Sequence, residues 1–173
     1  MLTIRRIWIP LAAAAVVLAA VPAGAEEASF TATLTGAAHL PEPVDTKAQG
    51  ELKLVASADG RTLRYTLTVS DIRNPAAADI HLGPAAANGP LVAKLFPTKG
   101  AAPKKGDFSG VLAEGTLDAG DLIGPLTGAT IADLIGEIRD GDVYVNVHTS
   151  DGVDPPNSGP GDYRLGEIRG QVN

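Results

Sequence analysis

Glu51-Leu52-Lys53-Leu54-Val55 and Leu63-Arg64-Tyr65-Thr66-Leu67-Thr68-Val69, joined across Ala58-Asp59-Gly60-Arg61, decide the fold class of this chain. In both runs apolar and polar side chains alternate, the period of a strand with one face in a core and the other in water. Asp-Gly tolerates the positive φ of a tight turn, so two alternating runs around it predict an antiparallel hairpin. Working outward, Phe30-Thr31-Ala32-Thr33-Leu34-Thr35 repeats the pattern, with Phe30, Ala32 and Leu34 on one face and threonines on the other. The Pro-rich stretch from Pro41 to Val44 breaks the chain before the hairpin. Five more strands are expected at Ala78–Leu82, Leu91–Phe96, Phe108–Leu117, Val143–Thr149 and Leu165–Val172.

One stretch departs from period two. Thr130-Ile131-Ala132-Asp133 has the form of a capping box, in which the Thr hydroxyl and Asp carboxylate satisfy early helix N–H groups. Ile131, Leu134, Ile135 and Ile138 then follow helical spacing, and Gly141 supplies the stop. A single helical turn is also expected near Asp118–Ile123, closed by Gly124-Pro125. The chain therefore reads as all-β: seven or eight short strands with one short inserted helix at about residues 130–140, most simply a β-sandwich or Greek-key barrel.

The N-terminus carries an address. Arg5 and Arg6 precede an apolar run from Ile7 to Val21, and Ala23-Gly24-Ala25 places small residues two apart. These are the three parts of a secretory signal peptide, here residues 1–25 with cleavage after Ala25. The run is shorter than the roughly 20 apolar residues that a spanning helix needs, so no membrane span is expected after cleavage. The remaining 26–173 suits a single domain able to bury a core without disulfides, in keeping with a cysteine count of zero. The expected location is the periplasm or the extracellular medium.

Charge narrows the partners. Loss of Arg5 and Arg6 leaves 12 basic residues against 20 acidic ones, a net charge of −8. Binding to a phosphate backbone needs clustered Lys and Arg, so no nucleic-acid partner is expected. No Gly-x-Ser-x-Gly elbow, Walker-type phosphate loop or His-Glu-x-x-His helix occurs, so no enzyme activity is expected and no catalytic residue is assigned.

Several stretches together resemble the chordin-type (CHRD) domain family. Ala78-Asp79-Ile80-His81-Leu82-Gly83-Pro84-Ala85 with Asn88-Gly89-Pro90 is similar to its His-x-His, Leu-Gly-Pro and Asn-Gly-Pro pattern. Gly110-Val111-Leu112, Gly115-Thr116-Leu117, Asp121 to Leu126 and Ala132-Asp133-Leu134-Ile135 continue the likeness in order. Tyr144-Val145-Asn146-Val147-His148-Thr149 and Gly166-Glu167-Ile168-Arg169-Gly170-Gln171-Val172 resemble its C-terminal part. The resemblance implies an exported immunoglobulin-like β-sandwich, as found inside chordin and as stand-alone bacterial proteins. The chain departs from the pattern at Asp79, where the family has the first His of the pair, and at His39, where it commonly has an acid. The loop Asp151–Asp162 is also longer than the family's usual connection.

Asp79 and His81 lie two apart on a predicted strand, hence on one face and about 7 Å apart along it. His148 ends another strand in phase with Asn146 and Tyr144. Were these strands neighbours, Asp79, His81 and His148 would form a two-His, one-carboxylate site for a divalent transition metal, copper or zinc. His39 is a candidate fourth ligand, a reshuffling of the family pattern. The competing reading makes the histidines hydrogen-bonded braces at one end of the sandwich. Glu167 and Arg169 are expected on one face, pairing with each other, with His148 or with the acidic loop. Asp151, Asp154, Asp162 and Asn157 read as a solvated loop in preference to a calcium site. A superoxide-dismutase-like metalloenzyme is disfavoured, because such a site uses more histidines than the three present and normally a disulfide. The leading reading is a non-enzymatic binding module whose partner is a metal ion or another exported protein. The alternative is a purely structural or protein-interaction module without metal.

Overall fold

The computed structural model describes residues 27–98 and 102–173. The expected leader and its cleavage site lie outside the described residues. Eight strands form in chain order: β1 (Ser29–Thr35), β2 (Gln49–Ala56), β3 (Leu63–Arg73), β4 (Pro75–Leu82), β5 (Leu91–Phe96), β6 (Asp107–Leu117), β7 (Val143–Thr149) and β8 (Ile168–Gln171). One α-helix, α1 (Ile131–Asp140), enters between β6 and β7. The all-β reading with one inserted helix holds.

Every strand pairing is antiparallel, and the hydrogen-bonded order is β5-β4-β7-β8-β1-β2-β3-β6. The hairpin around Asp59-Gly60 is the β2–β3 pair, with Val55 opposite Arg64 and Leu52 opposite Leu67. A β-sandwich or Greek-key barrel was expected, and the strands form one continuous sheet that lies between the two. Its halves meet at β1 and β8, through the ladder pair Thr35↔Arg169 and backbone bonds between Thr31 and Asn173. The ends then curl toward each other: the Tyr65 hydroxyl on β3 donates to the Leu95 carbonyl on β5 at 3.1 Å. The result is sandwich-like and nearly a barrel.

Alternation decides what lies between the halves. Leu52, Leu54, Leu63, Leu67, Ile80, Val145, Val147 and Ile168 all point inward and are fully buried. Helix α1 adds Ile131, Leu134, Ile135 and Ile138 to the same core. Its capping box is formed as read: Thr130 Oγ1 accepts from Asp133 N–H, and the Asp133 carboxylate accepts from Thr130 N–H. Gly141, in the left-handed conformation, ends it. The single turn expected near residue 118 is instead two 3-10 turns, Ala119–Asp121 and Gly124–Leu126, because Pro125 is tolerated in a first turn where its missing N–H is not needed.

The last strand is shorter than the alternation suggested. Gly166 and Glu167 precede β8, because the chain first turns through Gly166, whose N–H donates to Tyr163 O; Glu167 N–H already bonds Val147 O of β7. Among the described residues, no helix is long and apolar enough to cross a membrane.

Candidate metal centre

β4, β7 and β8 are consecutive in the sheet, so the two strands that carry Asp79, His81 and His148 are neighbours. In register, Ala77 faces His148, Asp79 faces Asn146 and His81 faces Tyr144, while Asn146 faces Arg169 across to β8. Ala78, Ile80, Val145 and Val147 take the core side. Asp79, His81, Tyr144, Asn146, His148, Arg169 and Gln171 therefore share the outer side. A polar outer face would ordinarily be wet, yet these side chains are buried or half-buried.

Two loops roof this face, and its side chains hold them. Arg169, 2% exposed, donates to the carbonyls of Pro84, Ala85 and Ala87, and its guanidinium lies 3.9 Å from the Tyr144 ring centre. Gln171 Nε2 donates to the Gly83 and Gly141 carbonyls. The Tyr144 hydroxyl donates to Gly89 O and accepts from Gly89 N–H. Asn146 Nδ2 donates to Leu165 O, which ties the second loop down.

The same loops orient the histidines. His81 Nδ1 lies 3.0 Å from Gly89 O, and His148 Nδ1 lies 3.0 Å from Arg164 O. A carbonyl can only accept, so each neutral imidazole carries its proton on Nδ1 and keeps the Nε2 lone pair free. This is how outer-shell carbonyls fix the tautomer of metal-binding histidines. The His81 ring stacks on Tyr144 with centroids 4.9 Å apart and planes 12° from parallel. Burial pushes the His81 pKa below its ordinary value, against the bond to Gly89 and the charge of Asp79, with His148 and Arg169 adding to the lowering.

One ligand atom each from Asp79, His81 and His148 lies within 4.8 Å of the others. His148 Nε2 stands 3.4 Å from Asp79 Oδ2. That is long for a charge-assisted hydrogen bond, whose usual length is about 2.7–2.9 Å. It matches two donors on one tetrahedral ion with bonds of about 2.0–2.2 Å, which stand about 3.3–3.6 Å apart. Among the described residues, the buried side-chain nitrogens and oxygens without a hydrogen-bond partner are His81 Nε2, His148 Nε2, Asn146 Oδ1, Arg169 Nε, Gln171 Oε1 and Asp162 Oδ1. All but the last belong to this one face. The donor set fits a divalent transition metal.

The CHRD domain matches residues 30–156. The chain belongs to this family. The CHRD match includes the Asp79–His81 strand, the roof loop at Gly83–Pro90 and the β7 strand with His148, and it ends before β8, so Glu167 and Arg169 lie beyond it. Comparison with curated proteins gives no match.

Not every expected residue joins this face. His39 is buried against the second roof loop, with Nδ1 2.9 Å from Glu42 O and Nε2 3.5 Å from Leu165 O, and it is outside the group of three. Glu167 and Arg169 do not pair. The Glu167 carboxylate, fully buried, accepts from Thr46 Oγ1 and Thr149 Oγ1 at 2.6 Å each and from Gly161 N–H at 2.9 Å. Arg169 directs its Nη donors to backbone carbonyls and leaves Nε without a partner. Asp162 closes its own loop by accepting from Ser158, and Arg164 reaches Asp154 at 3.1 Å. Sequence reasoning noted Asn146 and Tyr144 only as marking the phase of His148, although that phase already placed them beside it.

Proposed function

We propose that this CHRD-domain protein is an exported, non-enzymatic binding module that holds a divalent transition metal, zinc or copper, through Asp79, His81 and His148. The observation that carries this reading is the pair of imidazoles whose Nδ1–H groups are both committed to backbone carbonyls. Their remaining lone pairs then share a roofed face with one carboxylate. A purely structural role for the histidines leaves these acceptors buried without donors, at a cost of about 1–3 kcal/mol each. His39 braces the roof in this reading and is not a ligand. The ion would link β4 to β7 beneath the two loops; it supplies coordination bonds that oppose opening of that face. Residues 1–25 act as the leader, and the module of residues 26–173 works in the periplasm or the medium.

Equilibrium dialysis of the processed protein against zinc, copper and calcium, read by elemental analysis, tests the reading. About one equivalent of zinc or copper is expected, lost in His81→Ala and in His148→Ala, with calcium retained by none of the three. Unchanged metal content in both variants, or no bound transition metal in the parent, overturns it. The latter result would favour a protein-interaction module instead.

A further inference from the structure

Asn146 is a residue of this face only half of whose amide has a structural explanation: Nδ2 holds the second loop, and Oδ1 has no partner. The residue is 7% exposed and sits in the middle of a row, directly opposite Asp79 on β4 and Arg169 on β8. Directly opposed residues in an antiparallel pair have their Cβ atoms about 4.5–5.5 Å apart, so the amide and the Asp79 carboxylate are side by side. Its Nδ2 donates to Leu165 O at 3.1 Å, and that bond settles which end of the amide is oxygen. Oδ1 is buried and has no hydrogen-bond partner.

The chain makes special room for this amide. Gly166 has φ +127°, a conformation that side chains disfavour, and a Cβ there would collide with the Asn146 amide. A merely space-filling residue at 146 would not need an amide, a donor bond to the roof and a glycine pressed against it.

We propose that Asn146 Oδ1 is the fourth donor to the ion, completing two imidazole nitrogens, one carboxylate oxygen and one amide oxygen. This rests on the metal reading above and deepens it. Four protein donors close a tetrahedral sphere, which is the mark of a structural ion; a catalytic ion keeps one position for water or substrate. Without thiolate or thioether the set suits zinc or oxidised copper and not cuprous copper. The Arg169 Nη groups are held by three carbonyls and its guanidinium lies over the Tyr144 ring, which leaves Nε as its one unpartnered donor in this row.

The test uses the processed protein with zinc alone and with cobalt(II) as a spectroscopic substitute. Asn146→Ala is expected to weaken zinc binding by more than the roughly 10–100-fold that loss of an outer-shell partner gives, while Asn146→Asp, which keeps an oxygen but loses the bond to Leu165, binds at least as tightly as the parent. The parent's cobalt form should show the intense visible absorption of four-coordinate cobalt, and Asn146→Ala the weak absorption of a water-ligated ion. Thermal unfolding in chelator checks that the variants fold. Equal zinc affinity in parent and Asn146→Ala overturns the proposal, leaves the three-residue site standing and assigns Oδ1 to the neighbouring Arg169 Nε. Loss of zinc in Asn146→Asp as well as Asn146→Ala also overturns it, because the roof bond would then be the part that matters. A weakly absorbing, high-coordinate cobalt spectrum in the parent overturns it without any variant. No zinc binding by the parent removes this inference together with the metal reading.

Discussion

His81 donates its Nδ1–H to the carbonyl of Gly89, eight residues along the chain and 3.0 Å away. The bond spans one strand end and the loop that folds back over it, so closure of that loop and the tautomer of His81 are one event. Burial then makes the imidazolium unfavourable and lowers the pKa of His81 from the ordinary value near 6.5.

The sign of the pH dependence follows from that shift. Above about pH 6.5 His81 is neutral folded and unfolded, and it contributes no pH slope. As the pH falls below that value the unfolded chain takes up the proton first, so stability drops toward the lower folded pKa. Urea unfolding in chelator should therefore show lower stability at pH 5 than at pH 7, and the difference should shrink in His81→Gln. Zinc affinity should fall over the same range, because protons compete for the Nε2 lone pairs.

Glu167 is a different kind of buried charge, one fully used. It ties Thr46 before β2, Thr149 at the end of β7 and Gly161 in the long loop to a single carboxylate. Glu167→Ala leaves the buried Thr149 hydroxyl and Gly161 N–H, and the half-buried Thr46 hydroxyl, without their acceptor and should cost about 3 kcal/mol of stability. Chemical denaturation measures this. Thr149→Val, which removes one donor, should cost less.

Arg169 clamps the loop that carries Gly89. Lysine cannot reproduce a planar fork that serves three carbonyls and stacks on Tyr144. Arg169→Lys should speed amide exchange in residues 84–89 and weaken zinc binding, with the β2–β3 hairpin unaffected. Hydrogen exchange read segment by segment decides this.

Gly166→Ala combines an unfavourable φ with a collision against Asn146. A loss of about 1–3 kcal/mol is expected from the backbone alone, together with a displaced Asn146 amide. Thermal unfolding and the cobalt spectrum should both change. Gly60→Ala in the hairpin turn, where nothing surrounds the new methyl, should alter stability and leave the cobalt spectrum unchanged.

Trp8 is the only tryptophan of the chain and falls in the expected leader. Protein recovered from the exported fraction should begin at Glu26 by mass and show no indole emission. Emission from that fraction would mean the leader is retained.

How much of this was legible beforehand depends on the range of the interaction. Alternation placed β5 and β7 at their observed bounds, and the capping box with Gly141 placed α1, because these patterns express contacts within a few residues. Asp79 and His81 shared a face for the same local reason. Of the partners weighed for Glu167, the acidic loop is the one it meets, through Gly161; its other partners, Thr46 and Thr149, lie 121 and 18 residues away, and only loop closure brings all three to one carboxylate. His39 was drawn into the site by family pattern, whereas the chain between β1 and β2 carries it to Glu42 and Leu165.

From the amino acids alone came the strands, the face each side chain takes, the helix with its caps and the kinds of donor available. Those are consequences of a two-residue or 3.6-residue period acting along one segment. That β4 lies against β7, that the outer side of this pair is roofed, and that two carbonyls therefore hold both histidines in the Nδ1–H form were decided by tertiary structure. Strand order and loop placement minimise exposed apolar area and unmet hydrogen bonds over the whole chain, a sum that no single segment contains.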